Sequence, residues 1–165
     1  MVVHYNSNAT RVSADETVAA VKAAGADAFA IQGGLTKVAD CIRLFDEAVK
    51  KFGRVDIAIN TAGLVLKKPL IEVTEEEYDR SFDIKCKAAF FFLREAGKHL
   101  VDNGKICTIV TSLLVAYTGL YSIHAGAKAP VEHLTRAAAK EFGACGIFVT
   151  ALGPGPMDTP FFYGQ

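Results

Sequence analysis

Ser112, His124 and Lys128 are the residues whose types and spacing could do chemistry together. Ser112 follows an apolar run at 105–111 (KICTIVT), and a glycine-bearing loop separates it from a helical stretch that opens near His124. Residues four apart on a helix lie on one face, so His124 and Lys128 can address the same ligand. A hydroxyl donor, an imidazole and an ammonium at one place suit proton exchange at a carbonyl or alcohol oxygen.

The elements that must position these residues follow from apolar periodicity. Residues 2–5 (VVHY) read as a strand, 14–24 as a helix closed by Gly25, and 26–32 as a second strand. Cys41, Leu44, Phe45, Ala48 and Phe52 mark a helix over 37–52 that Gly53 ends, and 55–60 (VDIAIN) reads as a buried strand. Thr74 with Glu77 three residues later forms a capping box that starts a long helix over 75–101. A strand at 105–111, a helix at 124–142 and a strand at 147–152 complete the series. Strands alternating with helices through short loops predict an α/β fold with a doubly wound parallel sheet. Ligands of such sheets bind beyond the carboxyl ends of the strands. Asn60, Ser112 and the turn at 154–159 all fall on that edge.

Composition narrows the classes. A length of 165 residues predicts a single domain, 1–165, and 51% hydrophobic with 22% charged residues suits a packed interior. Eighteen basic residues balance eighteen acidic ones, so no net field favours nucleic acid or a membrane surface. No apolar run approaches the roughly 20 residues a bilayer span needs. The four cysteines show no paired spacing, which predicts free thiols and a cytoplasmic setting. His4, His99 and His133 lie far apart on different elements, and no metal site is expected.

Four features together carry a family resemblance: Asn60-Thr61-Ala62-Gly63, Ser112, Lys128, and Pro154-Gly155-Pro156-Met157-Asp158-Thr159. From the first strand to the final turn, the chain resembles the short-chain dehydrogenase/reductase family. The resemblance implies a Rossmann-type sheet and an NADP- or NAD-dependent oxidoreductase acting on a carbonyl or secondary alcohol. Ser112 matches the serine that polarises the carbonyl (Thr111 if the loop aligns differently), and Lys128 matches the lysine that holds the nicotinamide ribose. Asn60, Ala62 and Gly63 match the turn beside the cofactor ribose. Pro154, Gly155 and Thr159 match the turn at the nicotinamide carboxamide. Asn6 and Ser7 follow the second strand of the family order with no acidic residue at its tip, which favours NADP over NAD. The family's two long helices, here 75–101 and 124–142, imply a homo-oligomer.

The chain also departs from the family pattern. It shows no T-G-x-x-x-G-x-G loop, so the resemblance places its start inside the family's second strand and its end before the last one. Loss of a central first strand leaves either two half-sheets with a gap or a re-paired sheet. Gly34 stands where an aspartate that meets the adenine is usual, and Lys85 stands at the catalytic asparagine. His124 stands at the catalytic tyrosine, four before Lys128. A histidine beside a cationic lysine should be mostly neutral at pH 7, able to accept a proton and poor at supplying one. His124 is then either a working acid/base or a structural residue, with Tyr121 as a group that could swing in. Two functions follow: an impaired oxidoreductase, or a catalytically inactive scaffold that keeps the fold and its oligomer surface.

Overall fold

In the computed structural model, residues 1–159 and 163 are described. The chain runs β1 (Val2–Tyr5), α1 (Arg11–Ala23), β2 (Phe29–Gln32), α2 (Val38–Phe52), β3 (Val55–Asn60), α3 (Glu75–Phe82) and α4 (Ala88–His99). It continues with β4 (Leu100–Ile109), α5 (Ser122–Glu141) and β5 (Phe148–Leu152). The expected α/β alternation is present, with every strand pair parallel.

The sheet is in two pieces. β1 pairs with β2, and β3, β4 and β5 form a separate three-stranded sheet in that order. Of the two arrangements open from the sequence, the gap is the one adopted. Helix α2 ties the pieces together by packing on α4 and β3. The Phe52 ring at its end stands 5.8 Å from the Phe29 ring of β2. Gly53 closes α2 in the left-handed conformation, φ 78°, with its N–H on the Val49 carbonyl.

The main core lies between α2, α4 and α5 and one face of the larger sheet. Cys41, Phe45, Phe92, Leu93, Ala96 and Ile106 fill it. Gly97 lets α4 approach the Phe142 ring at the end of α5, because a Cβ there would stand 2.3 Å from it. The other sheet face corrects the expectation of a buried strand at 55–60. Side chains alternate along a strand, and while Ala58 and Ile106 point into the core, Ile57, Ile59, Phe148 and Leu152 are exposed.

The helix expected over 75–101 is also corrected. Its start is as expected: the Thr74 hydroxyl accepts the Glu77 N–H at 3.2 Å, and the Glu77 carboxylate accepts the Thr74 N–H at 2.9 Å. Lys68 holds the same carboxylate at 2.9 Å. However, α3 stops at Phe82, a five-residue π turn spans Asp83–Lys87, and α4 ends at His99. Leu100 turns extended, with φ −70° and ψ 143°, and opens β4 five residues earlier than periodicity suggests. The register shift between Val55 and Ile57, with Asn103 at φ 64°, absorbs the extra residues at the start of β4. Single-turn π segments inside helices frequently mark functional sites, and this one carries Lys85.

Candidate active site

Helix α5 crosses β5 and packs against α3, the π turn and α4. His124 and Lys128, one turn apart, point inward and are 7% and 6% exposed. The Lys128 Nζ donates to the Ile109 carbonyl at the end of β4. A Cβ placed on Gly63 would lie 3.7 Å from the same Nζ, so the turn after β3 runs directly past the lysine. Asn60 shapes that turn, its Oδ1 accepting the Ala62 N–H at 2.9 Å. The Leu64 carbonyl then faces His124 Nδ1 at 3.3 Å.

Beyond β4, Thr111 and Ser112 divide their duties. The Thr111 hydroxyl accepts the Leu113 N–H at 3.3 Å and so caps the following short helix. Ser112 donates its N–H to the Pro154 carbonyl at 3.0 Å, which joins it to the turn after β5. A Cβ on Gly155 would stand 3.9 Å from the Ser112 Oγ. Asn60, Ala62, Gly63, Ser112, His124, Lys128, Pro154 and Gly155 thus gather along the carboxyl edge of the larger sheet. Thr159 is partly buried, and its carbonyl accepts the Tyr163 N–H at 3.3 Å. Tyr121 caps α5, its ring 6.4 Å from the His124 ring and under the Lys67 ammonium at 5.8 Å.

Asn6 and Ser7 belong to the other sheet. They follow β1 beside the Gly33-Gly34 turn, and a Cβ on Gly34 would lie 4.0 Å from the Asn6 Oδ1. A carboxylate does sit at this tip although Gly34 is not acidic. Asp40, in the first turn of α2, accepts the Gly34 N–H at 2.9 Å and pairs with Arg43 at 3.0 Å. Arg43 and the Gly34 amide hold its carboxyl below the usual range. Asp40 lies six positions after Gly34, so only its place at a helix start, where acids are favoured, pointed to it.

The electrostatics turn on Lys85, which the sequence marked only as a departure. It is 1% exposed, and its Nζ has no hydrogen-bond partner among the described residues. Burial, then the charge of Lys128, brings its pKa down to about 8. Burial does the same to Lys128, also to about 8. His124 falls to about 4, through burial first and the Lys85 charge second; the Leu64 hydrogen bond opposes this and Lys128 adds a smaller push. The sequence reading had the direction right but named the lesser neighbour. Since a carbonyl can only accept, His124 Nδ1 carries the hydrogen, and the neutral ring keeps its lone pair on Nε2. At neutral pH this imidazole can take a proton and has none to spare.

A family model described as enoyl-(acyl carrier protein) reductase matches residues 1–165. The chain belongs to the short-chain dehydrogenase/reductase family. Among curated relatives, a short-chain dehydrogenase/reductase of Pestalotiopsis microspora is 38% identical over 164 residues, covering 99% of this chain and 61% of the relative. A hydroxynaphthalene reductase-like protein of Metarhizium brunneum is also 38% identical, over 98% of this chain and 60% of its own length. This chain therefore spans about 60% of the length of those family members. Among solved structures, a Burkholderia cenocepacia protein with bound NADP superposes with a TM-score of 0.96 at 60% identity, over 99% of this chain and 62% of that one. A blue fluorescent protein from a metagenomic library, in complex with NADPH, gives 0.91 at 31% identity, over 97% and 65%.

The residues present fit the nicotinamide end of the family's cofactor, because Gly63 and Gly155 leave open backbone beside Lys128 and Ser112. The adenosine end would fall to Asn6 and Ser7, across the gap between the sheets.

An unfolded histidine titrates near 6.5, whereas His124 titrates at about 4 in the fold. Between those values the unfolded chain binds a proton that the folded chain refuses. Stability should therefore fall as pH drops below about 6.5, by roughly 2 kcal/mol at about pH 5. Urea unfolding of the wild type and His124→Gln at about pH 7 and pH 5 checks this. An equal acid loss in both proteins would show that His124 is not buried neutral.

Proposed function

We propose that this chain forms the catalytic centre of an NADP-dependent oxidoreductase that interconverts a secondary alcohol and its carbonyl. The observation that carries the reading is the single inward face of His124 and Lys128 against the Gly63 turn, with Ser112 tied to Pro154 on the same edge. The NADP and NADPH bound to the two structural neighbours support this choice of cofactor. Asn6 and Ser7 would meet the adenosine end, Asn60, Ala62, Gly63 and Lys128 the ribose, and Pro154, Gly155 and Thr159 the carboxamide. NADP bound there supplies the hydride acceptor. Ser112 donates a hydrogen bond to the substrate oxygen, and His124 Nε2 takes the hydroxyl proton. The protonation state of His124 favours alcohol oxidation over carbonyl reduction, because reduction asks the same group to supply a proton. The four free cysteines suit a cytoplasmic setting.

A second reading is a scaffold without turnover, and the gap between β1 and β3, which do not pair with each other, favours it, since it divides the cofactor's contacts between two sheets. Calorimetric titration with NADPH and NADH separates the two readings. Cofactor binding at about micromolar concentration, with carbonyl reduction raised ~10²–10⁴-fold in His124→Tyr, is expected of the enzyme. Absence of binding up to millimolar cofactor would leave the scaffold.

We further propose that the chain self-associates through the face made by α3, the π turn, α4 and α5. Phe82, Phe90, Phe91, Pro130, Leu134 and Ala137 line an apolar groove there. Phe90 is 48% exposed, a large ring to leave in water. A Phe90→Glu variant should sediment as a monomer while the wild type does not; an unchanged mass would remove this face from the assembly.

A further inference from the structure

The most unusual charge arrangement in the molecule lies behind His124. Among the described residues, one carboxylate and two ammonium groups are buried almost completely, and the fold treats them differently. Glu95, 1% exposed, has Arg94 at 2.7 Å and Lys98 at 3.0 Å. Lys85, equally buried, has no such partner. Among the described residues, Lys128 has the neutral Ile109 carbonyl and no carboxylate.

Among the described residues, the carboxylates on the surrounding elements are either paired or exposed to solvent. On α3, Glu77 is taken by Lys68, and Glu75, Glu76, Asp79 and Arg80 are exposed. In the π turn Asp83 pairs with Lys87 at 3.2 Å, and on α4 Glu95 is engaged as described. The preceding loop brings Lys67 and Lys68, both cations, and α5 brings His124 and Glu132, the latter paired with Arg136. A buried charge without a partner is costly, and buried polar groups are almost always satisfied. Three buried side-chain atoms lack partners among the described residues: Ser81 Oγ, Lys85 Nζ and Ser122 Oγ. All three can donate. Ser81 lies one turn before Lys85, and Ser122 opens α5, which packs on both α3 and the π turn.

We propose that this cluster binds one small monovalent anion between the π turn and α5, held by the Lys85 and Lys128 ammonium groups. Ser81 and Ser122 are the unengaged hydroxyl donors on the same elements. The anion keeps both lysines charged next to a neutral His124, and it gives Lys85 the partner that Glu95 finds in Arg94 and Lys98.

The test needs no NADP and no turnover, so its failure leaves the oxidoreductase reading untouched. Sodium formate and sodium chloride are titrated into the wild type by calorimetry at constant ionic strength, with sodium sulfate as the balancing salt. One saturable site per chain at about pH 7 is expected, with the melting temperature rising by roughly 3 °C per tenfold excess of the anion over its Kd. Lys85→Met and Lys85→Asn should each lose the site while melting higher than the wild type in sulfate alone. The wild type should lose it at about pH 10, where both lysines are neutral. No saturable binding at neutral pH would overturn the proposal. So would binding that survives at about pH 10, or that survives in whichever variant folds.

Discussion

Burial of Lys85 and Lys128 without a protein counter-charge is the constraint on which the rest of the site depends. Burial of the imidazole first, and then the ammonium groups held against it, keep that ring neutral, and the Leu64 carbonyl fixes which nitrogen carries its hydrogen. The consequence is chemical. A tyrosine could give a proton to a forming alkoxide, whereas this imidazole offers only a lone pair on Nε2. The change at position 124 cannot be read in isolation, because Lys85 acts on the ring more strongly than Lys128, its neighbour one turn away.

The backbone explains how such a costly arrangement is held. The π turn at Asp83–Lys87 interrupts what would otherwise be one helix and carries the buried Lys85. Gly97 brings α4 close to the far end of α5, and α5 in turn packs along β5. The site thus rests on the larger sheet and the helices behind it. The two-stranded sheet is tied to it by α2, through the Cys41 and Phe45 core and the Phe29–Phe52 contact. Ser112 and the Gly63 and Gly155 turns stand at the edge of the larger sheet, and Asn6 and Ser7 at the edge of the smaller one.

Much of this was legible in the sequence, and the misses have physical causes. Strand and helix order followed from periodicity, and the Thr74–Glu77 box marked its helix start because capping is a local interaction. The end of that helix was missed: the π turn keeps helical composition, and the apolar Leu100 and Val101 suit a helix or a strand equally. The exposed Ile57 and Ile59 read as part of a buried strand because residue type alone does not show what covers a sheet face. The Ser112–His124–Lys128 edge was recognisable from spacing and motif. Lys85 stood out as an unusual residue, but its burial and its reach to His124 belong to helix packing. Asp40 went unnoticed because the carboxylate reaches the β2 tip from a neighbouring helix.

The most direct test of the neutral imidazole is nitrogen NMR of the chain carrying ¹⁵N-labelled histidine, with His124→Gln used to assign the signal. One protonated nitrogen and one bare nitrogen on His124, unchanged from about pH 8 down to about pH 5.5, is the result expected from the buried lysine pair. An imidazolium with both nitrogens protonated at about pH 6.5 in the resting protein would contradict it, since burial and the neighbouring ammonium groups bring the His124 pKa down to about 4.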